Sequence, residues 1–404
     1  MKVNVRGHIR DLLAFKGLVP RRKKRIAQAP AEPLGLDPMH RLARRLHPES
    51  QHLAIAEIRD ETKTARTFRL VADPDAGTRE LAYFRAGQYL SLKVDVNGSR
   101  ITRPYSISSA PFEALGPDGF YEITIKRDEN GFLTPHVWDH WRVGTTVQSS
   151  EPCGFFYHEP LRDVAKIVGL AGGSGITPFR SMAREIAYGE LDAELLLLYG
   201  SSDEDDIVFY GELGELERKA PDKIRVVHVL SCVEVSLEGC EQGFITAATI
   251  EKYADVEDSS FFVCGPQAMY EFVAGELATL NLPKKRVRWE VFGEVKDVTQ
   301  SPGFPREVAG ETFRLKVTIG SVTTEIPARA TETVLVAMER ANLAPPSQCR
   351  SGECGFCRSR LVSGEVYVRP ESDGRRSADK QFGTIHPCSS YPITDLEVSV
   401  PRGA

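Results

Sequence analysis

Residues 348–357 read QCRSGECGFC, with three of the chain's eight cysteines in nine positions. The spacing is Cys349-x4-Cys354-x2-Cys357, and Cys388 follows after 30 residues. Such a set suits four thiolates on two irons, a [2Fe–2S] cluster. Gly352 and Gly355 would let the backbone wrap closely, leaving N–H groups free to point at sulfur. A zinc site or two disulfides are the alternatives. Zinc sites favour paired C-x2-C knuckles, which the x4 spacing does not supply. The apolar stretch near the N-terminus is short and broken by Lys16, so no secretory signal is read. Disulfides are then unexpected, and a cytoplasmic location is expected.

A second chemistry lies in GLAGGSGITPFRSM, which follows the apolar run Val164 to Leu170. This reads as strand, glycine turn, helix. Gly172, Gly173 and Gly175 would let backbone approach a pyrophosphate at a helix N-terminus. The third glycine of GxGxxG is absent, and Pro178 stands there. CGPQAM, Cys264 to Met269, follows another apolar run, and RPYSISS spans Arg103 to Ser109.

The elements that must carry these residues fall into segments. Short alternating strands over 51–158 predict a small antiparallel β-barrel. ELLLLYG, IRVVHVL and SSFFVCG alternate with helical stretches over 159–293 and predict a parallel sheet in an α/β domain. KDVTQSPGFPREVAG is rich in Pro, Gly and polar residues, so 294–310 reads as a tether, flexible enough to let the cluster visit one site and then another. Over 311–404, FRLKVTI and VTTEIP predict a hairpin, TVLVAMERANL a helix and DLEVSV a closing strand. The fold class is multidomain: β-barrel, α/β nucleotide domain and an α+β domain.

The last segment resembles a plant-type ferredoxin of the β-grasp fold. The resemblance implies that Cys349, Cys354, Cys357 and Cys388 ligate the cluster. RPYS, GGSGITP, CGP and FRAGQYL, in that setting, resemble the ferredoxin–NADP reductase superfamily over about 52–292. That likeness implies FAD on Arg103, Pro104, Tyr105 and Ser106, with Arg103 at its phosphate and Tyr105 against the ring. Thr124, Ile125 and Lys126 should line the same site. NGFLT places Phe132, Leu133 and Thr134 at the flavin pyrophosphate. Gly172, Gly173, Ser174, Gly175, Ile176 and Pro178, with Gly265 and Pro266, would hold the nicotinamide dinucleotide. Thr177, Cys264 and Glu290 are expected along the hydride path, and Phe292 near the flavin. Tyr105 as an ordinary strand aromatic, Cys264 as a small buried hydrophobe and Glu290 as a surface strand residue are the plainer readings. His52, His136, His140, His158, His228 and His386 show no ligand spacing and read as structural.

The order of parts resembles the reductases of phthalate dioxygenase and phenylacetyl-CoA epoxidase systems. It implies an NADH-dependent relay through FAD and [2Fe–2S] to a redox protein acceptor such as an oxygenase. A non-oxygenase acceptor, an anaerobic metalloenzyme or corrinoid protein, and a non-enzymatic redox sensor are the other readings. NADH is expected over NADPH because Asp203, Glu204, Asp205 and Asp206 follow Ser202, with no Arg. Charge is modular: 1–50 carry 12 Lys/Arg against 4 Asp/Glu, net +8, whereas 51–310 carry net −14. HIRDLLAFKGLV, followed by RRKKR, sets Ile9, Leu12, Leu13 and Phe15 at helical spacing. That pattern suits a membrane surface or a partner. The acidic remainder argues against nucleic acid. Arg350, Arg358, Arg360, Arg375, Arg376 and Lys380 surround the cluster motif and are expected to ring its exit, unless Arg350 fixes the loop.

Overall fold

The computed structural model describes residues 9–30, 35, 37–232, 237–295 and 297–401, with side chains from residue 16 onward. The chain divides into two compact units, 1–45 and 46–404. In the first, α1 spans Ile9–Ala27 and is followed by α2, Pro38–Leu46. Asp37 caps α2, its Oδ1 accepting from the N–H of Met39 (2.9 Å) and of His40 (3.0 Å). The side chains of Ile9, Leu12, Leu13 and Phe15, expected to form an apolar helix face, lie outside the described residues. Among the described residues, no helix is long and apolar enough to cross a membrane.

The second unit opens with six antiparallel strands: β1 (Gln51–Asp60), β2 (Ala65–Ala72), β3 (Tyr89–Val96), β4 (Ser99–Ser106), β5 (Phe120–Lys126) and β6 (Thr146–Ser149). Their order is β4-β3-β6-β1-β2-β5. An isolated bridge, Ile107 to Ile123, brings the two outer strands together and closes the barrel. Alternation drives the closure: Leu53, Ile55, Phe68, Leu70, Leu90, Leu92 and Ile123 all turn inward and are buried. Helix α3 (Thr134–His140) covers one end through Val137 and Trp138.

A parallel sheet follows: β7 (Lys166–Gly172), β8 (Glu194–Ser201), β9 (Ile224–Leu230), β10 (Glu241–Gln242), β11 (Ser260–Cys264) and β12 (Val287–Glu290). The order is β10-β9-β8-β7-β11-β12. Helices α4 (Thr177–Tyr188), α5 (Tyr210–Lys219), α6 (Ala247–Tyr253) and α7 (Gln267–Thr279) connect the strands. Both faces are covered, which explains the near-continuous apolar runs of β7, β8 and β11. The strand order changes direction between β7 and β11, so a crevice opens at their carboxyl ends.

The C-terminal part is a mixed sheet: β13 (Thr312–Ile319), β14 (Val322–Arg329), β15 (Ser359–Ser363), β17 (Thr384–Ile385) and β19 (Leu396–Val400). A second pair joins β16 (Val366–Val368) to β18 (Ser390–Pro392). Strands β13 and β14 form the predicted hairpin, and β19 pairs with β13 in parallel. Helix α8 (Val334–Arg340) packs its apolar side under the sheet, and α9 (Ser377–Gln381) precedes β17.

The segment read as a flexible tether is instead seated. Val298 and Phe304 are buried with Tyr367 and Tyr391, and the Phe304 and Tyr367 rings meet edge to face at 5.3 Å. The Tyr367 hydroxyl donates to the Pro302 carbonyl at 2.8 Å. Two apolar side chains among many polar ones were enough to anchor it, a signal that its Pro- and Gly-rich composition hid.

Candidate functional site

The crevice at the carboxyl end of the parallel sheet is built by two loops in contact. β7 ends at Gly172, a 3-10 turn takes Gly173 to Ile176, and Thr177 and Pro178 open α4. Thr177 Oγ1 donates to the Ser174 carbonyl at 3.0 Å. Beside it, β11 ends at Cys264, and Gly265 and Pro266 lead into α7. A Cβ on Gly175 would lie 2.2 Å from the Cys264 carbonyl oxygen, and one on Gly172 would lie 2.5 Å from Met269 Sδ. Those two positions admit only glycine because the loops touch there.

Cys264 pairs in register with Ala171 on one side and Glu290 on the other. Both functional groups are buried. Burial pushes the Cys264 thiol far above its ordinary range, and the Glu290 carboxylate next to it adds to this. Burial likewise raises Glu290, followed by the charges of Glu353 and Cys349. Glu290 Oε2 has no hydrogen-bond partner among the described residues. A buried polar atom left open in this way is what a bound polar group would satisfy. The Tyr270 hydroxyl ties the two strands, accepting from the Gly265 N–H at 3.2 Å and donating to the Glu290 carbonyl.

On the barrel, Arg103, Pro104, Tyr105 and Ser106 end β4 opposite Leu92, Ser91, Leu90 and Tyr89. Thr124, Ile125 and Lys126 end β5, and the Thr124 hydroxyl meets those of Thr67 (2.8 Å) and Ser108 (3.2 Å). Lys126 Nζ donates to Asp206 Oδ2 at 2.5 Å. Leu133 is buried, Phe132 is exposed and Thr134 begins α3, its hydroxyl donating to the Asp128 carbonyl at 2.9 Å.

Two residues outside the predicted set, Arg180 and Tyr89, bring the parts together, and a third, His386, braces the cysteine loop. Arg180 of α4 is buried and reaches across to the barrel, donating to the Ser108 carbonyl (2.9 Å) and to Glu122 (2.7 Å), with Glu212 at 2.8 Å. A buried guanidinium is tolerable only when paired this fully. Tyr89 stands beside Ser106 and meets Phe292 edge to face at 5.2 Å. Its phenol is held far above the ordinary range by burial, then by the nearby Cys349 and Cys354 sulfurs. His386 Nδ1 lies 2.6 Å from the Gly352 carbonyl and braces the cysteine loop. Tyr89 sits in FRAGQYL and Arg180 directly follows GGSGITPF, so the motifs themselves carried a signal for both. His386 carried no spacing signal.

The four clustered cysteines converge. Cys357 Sγ lies 3.4 Å from Cys388 Sγ, and Cys349 is near enough to Cys354 and Cys388 for their side chains to interact. The Cys354 N–H points at Cys349 Sγ and the Phe356 N–H at Cys354 Sγ, each at 3.4 Å. Gly352 and Gly355 adopt φ of +87° and +68°. A Cβ on Gly352 would lie 2.6 Å from the Ser372 carbonyl oxygen. Four converging thiols with backbone donors aimed at two of them fit a [2Fe–2S] cluster. The expected ring of free cations is largely spent within the chain: Arg358 pairs with Asp379 (3.2 Å), and Asp373 takes both Arg375 (2.8 Å) and Lys380 (2.9 Å). Arg350 is fully buried.

With this geometry, the chain matches three families in sequence: Oxidoreductase FAD-binding domain over 52–158, Oxidoreductase NAD-binding domain over 170–275 and 2Fe-2S iron-sulfur cluster binding domain over 317–392. It is 31% identical over 354 residues to the ferredoxin reductase component of 3-ketosteroid-9-alpha-monooxygenase from Mycobacterium tuberculosis, covering 85% of this chain and 93% of that protein. The chain belongs to this family of FAD-, NAD- and [2Fe–2S]-binding reductases. The reductase is also 25% identical to a 1,2-phenylacetyl-CoA epoxidase component from Escherichia coli, over 85% of this chain and 95% of that one. Phthalate dioxygenase reductase superposes with a TM-score of 0.59 at 26% identity, covering 87% of this chain and 98% of that one. The fold is the multidomain one read from the sequence, and the protein is an oxidoreductase with FAD, NAD and [2Fe–2S] as its cofactors.

Proposed function

We propose that this reductase takes electrons from NADH and delivers them singly to a protein acceptor, an oxygenase component. Arg103 and the α3 start at Leu133 and Thr134, with Phe132, hold the FAD phosphates. Pro104, Tyr105, Ser106 and the backbone of Thr124 to Lys126 hold its ring system. Gly172 to Pro178 with Gly265 and Pro266 receive the dinucleotide. Cys349, Cys354, Cys357 and Cys388 ligate the cluster. Bound FAD supplies the exchange between a two-electron donor and a one-electron acceptor. Cys264 and Thr177 orient the nicotinamide, Glu290 presents a buried carboxyl, and Phe292 closes the site against water. The domain limits are 51–158, 159–293 and 311–404, with 294–310 between them. The oxygenase acceptor is supported by relatives that are reductase components of a ketosteroid monooxygenase and a glycine betaine monooxygenase.

The observation that carries this reading is Tyr89. It pairs in register with Ser106, meets the Phe292 ring and lies within electrostatic reach of Cys349 and Cys354, so residues of three motif groups lie near one ring. Exposed Met39, Leu42 and Leu46 with Arg41, Arg44 and Arg45 on α2 support a peripheral role for residues 1–50 at an anionic membrane surface. A cytoplasmic location agrees with eight cysteines that form no disulfide. The test is anaerobic: purified protein should carry FAD and about two irons per chain, and NADH should bleach the flavin and then the cluster. Released FMN, or a cluster that NADH leaves oxidised, would refute the relay.

A further inference from the structure

Arg350 lies between Cys349 and Ser351, in a left-handed backbone conformation (φ +60°) that a non-glycine residue seldom adopts. Its side chain is 0% exposed. One Nη1 donates to Glu339 Oε1 at 2.5 Å and to the Thr102 carbonyl at 3.3 Å, and Nη2 donates to Glu294. These partners come from three places: Thr102 from flavin-barrel strand β4, Glu294 from the segment after β12, and Glu339 from α8. The Thr102 carbonyl also accepts from Arg103 Nη1 at 2.9 Å, and Glu339 Oε2 lies 3.7 Å from that same nitrogen. Charges therefore alternate along one row, Arg103, Glu339, Arg350, Glu294, buried at its centre and half-buried at its two ends.

Burying a guanidinium is unfavourable unless its donors are met, and two of the partners that meet them lie outside the cluster domain. The planar fork reaches two carboxylates and a carbonyl at once, which an ammonium cannot do. These contacts hold in this arrangement of the cluster domain on the barrel, with Arg350 Nε alone unpartnered among the described residues, and would be lost if the cluster domain moved off β4.

We propose that Arg350 is a positioning residue that fixes the cluster loop against β4, so that electrons cross from the flavin site to the cluster in a single docked geometry. The inference rests on the relay read above. The bound cluster would take one electron at a time and hand it to the protein acceptor before the second of the pair from NADH crosses, and no bond is made or broken at Arg350. Electron transfer falls steeply with distance, so a loosened row slows this crossing and leaves the NADH side untouched.

The experiment compares full-length wild type, Glu294→Gln, Arg350→Lys and Arg350→Gln. Iron and FAD content, the kcat and KM for NADH with ferricyanide, the EPR g-values of the reduced cluster and the stopped-flow rate of cluster reduction are measured. In Glu294→Gln and Arg350→Lys, cluster reduction is expected to slow at least about fivefold, while content, g-values and ferricyanide turnover stay within about twofold. Arg350→Lys should retain more of the rate than Arg350→Gln. Should the Arg350 variants lose iron, Glu294→Gln decides, because Glu294 lies outside the cluster loop. Cluster reduction at the wild-type rate in Glu294→Gln, or ferricyanide turnover falling in parallel with it, overturns the proposal. A wild-type cluster that NADH does not reduce would refute the relay instead.

Discussion

Cys264 and Glu290 share a register position on neighbouring strands, and burial raises the pKa of both groups, which favours their neutral forms. A neutral thiol packs against a nicotinamide ring without repelling it. Cys264→Ala is expected to lower the NADH–ferricyanide kcat about tenfold, or about 1.4 kcal/mol, with little change in KM. Equal kcat values would make Cys264 a packing residue alone. Glu185 on α4 supplies a second prediction. Burial, then the neighbouring Glu190, raises its carboxyl from 4.5 to about 7. The folded chain keeps this proton where the unfolded chain releases it, so the stabilising contribution is complete below the unfolded pKa and is lost as pH rises to about 7. Glu185→Gln cannot ionise, so its melting temperature should gain on wild type between pH 5 and pH 8. The gain is of the order of 1–2 °C, since the group is partly solvated. Thermal melts across that range check it, and a constant offset would refute it.

The turn after β8 shows how an element can carry specificity. Asp203 accepts from the Asp206 N–H and caps the 3-10 turn Glu204–Asp206. Asp205 pairs with Lys63 (2.9 Å) and Asp206 with Lys126, which pins the turn to the barrel. Glu204 accepts from the Leu237 N–H at 2.7 Å. All four acidic residues thus have structural work, and the turn still offers no arginine to a 2′-phosphate. NADH should exceed NADPH in kcat/KM by at least about tenfold. Equal values for the two would show that the turn does not face the adenosine ribose.

Across the whole molecule, the contacts that seat the cluster domain are buried or apolar: the Arg350 row, Phe304 on Tyr367, and Val298. Arg369 and Glu271 add an ion pair at 3.0 Å. Salt screens exposed charge pairs and reaches buried ones poorly. Cluster reduction by NADH should therefore change less than about twofold between about 50 and 500 mM NaCl. Stopped flow measures it, and a steep fall would show a cluster domain that docks through exposed charge. Removing residues 1–45 should leave FAD, iron and NADH–ferricyanide turnover intact, because every residue assigned to the site lies beyond them. Flotation with anionic vesicles should then separate the full chain from the shortened one. Vesicle binding that survives the removal would place the membrane contact elsewhere.

Local pattern was sufficient for much of this protein. The x4, x2 cysteine spacing, the glycine turn after an apolar strand and the alternation of the barrel strands each depend on neighbours within about ten residues. The three fold types and the cofactor set were legible for that reason. What depended on distant residues was not. Arg358 looks like a free cation along the chain, yet Asp379 pairs with it once α9 folds back on the cysteine loop. The stretch 294–310 looks like a loose tether, yet Val298 and Phe304 find Tyr367 and Tyr391 roughly 65 to 95 residues away. Tyr89 comes near three motifs only because β3, Phe292 beyond β12 and the cysteine loop are brought close in space. Spacing specifies which groups a segment can hold, whereas burial and long-range pairing decide which charges remain free and which side chains face one another.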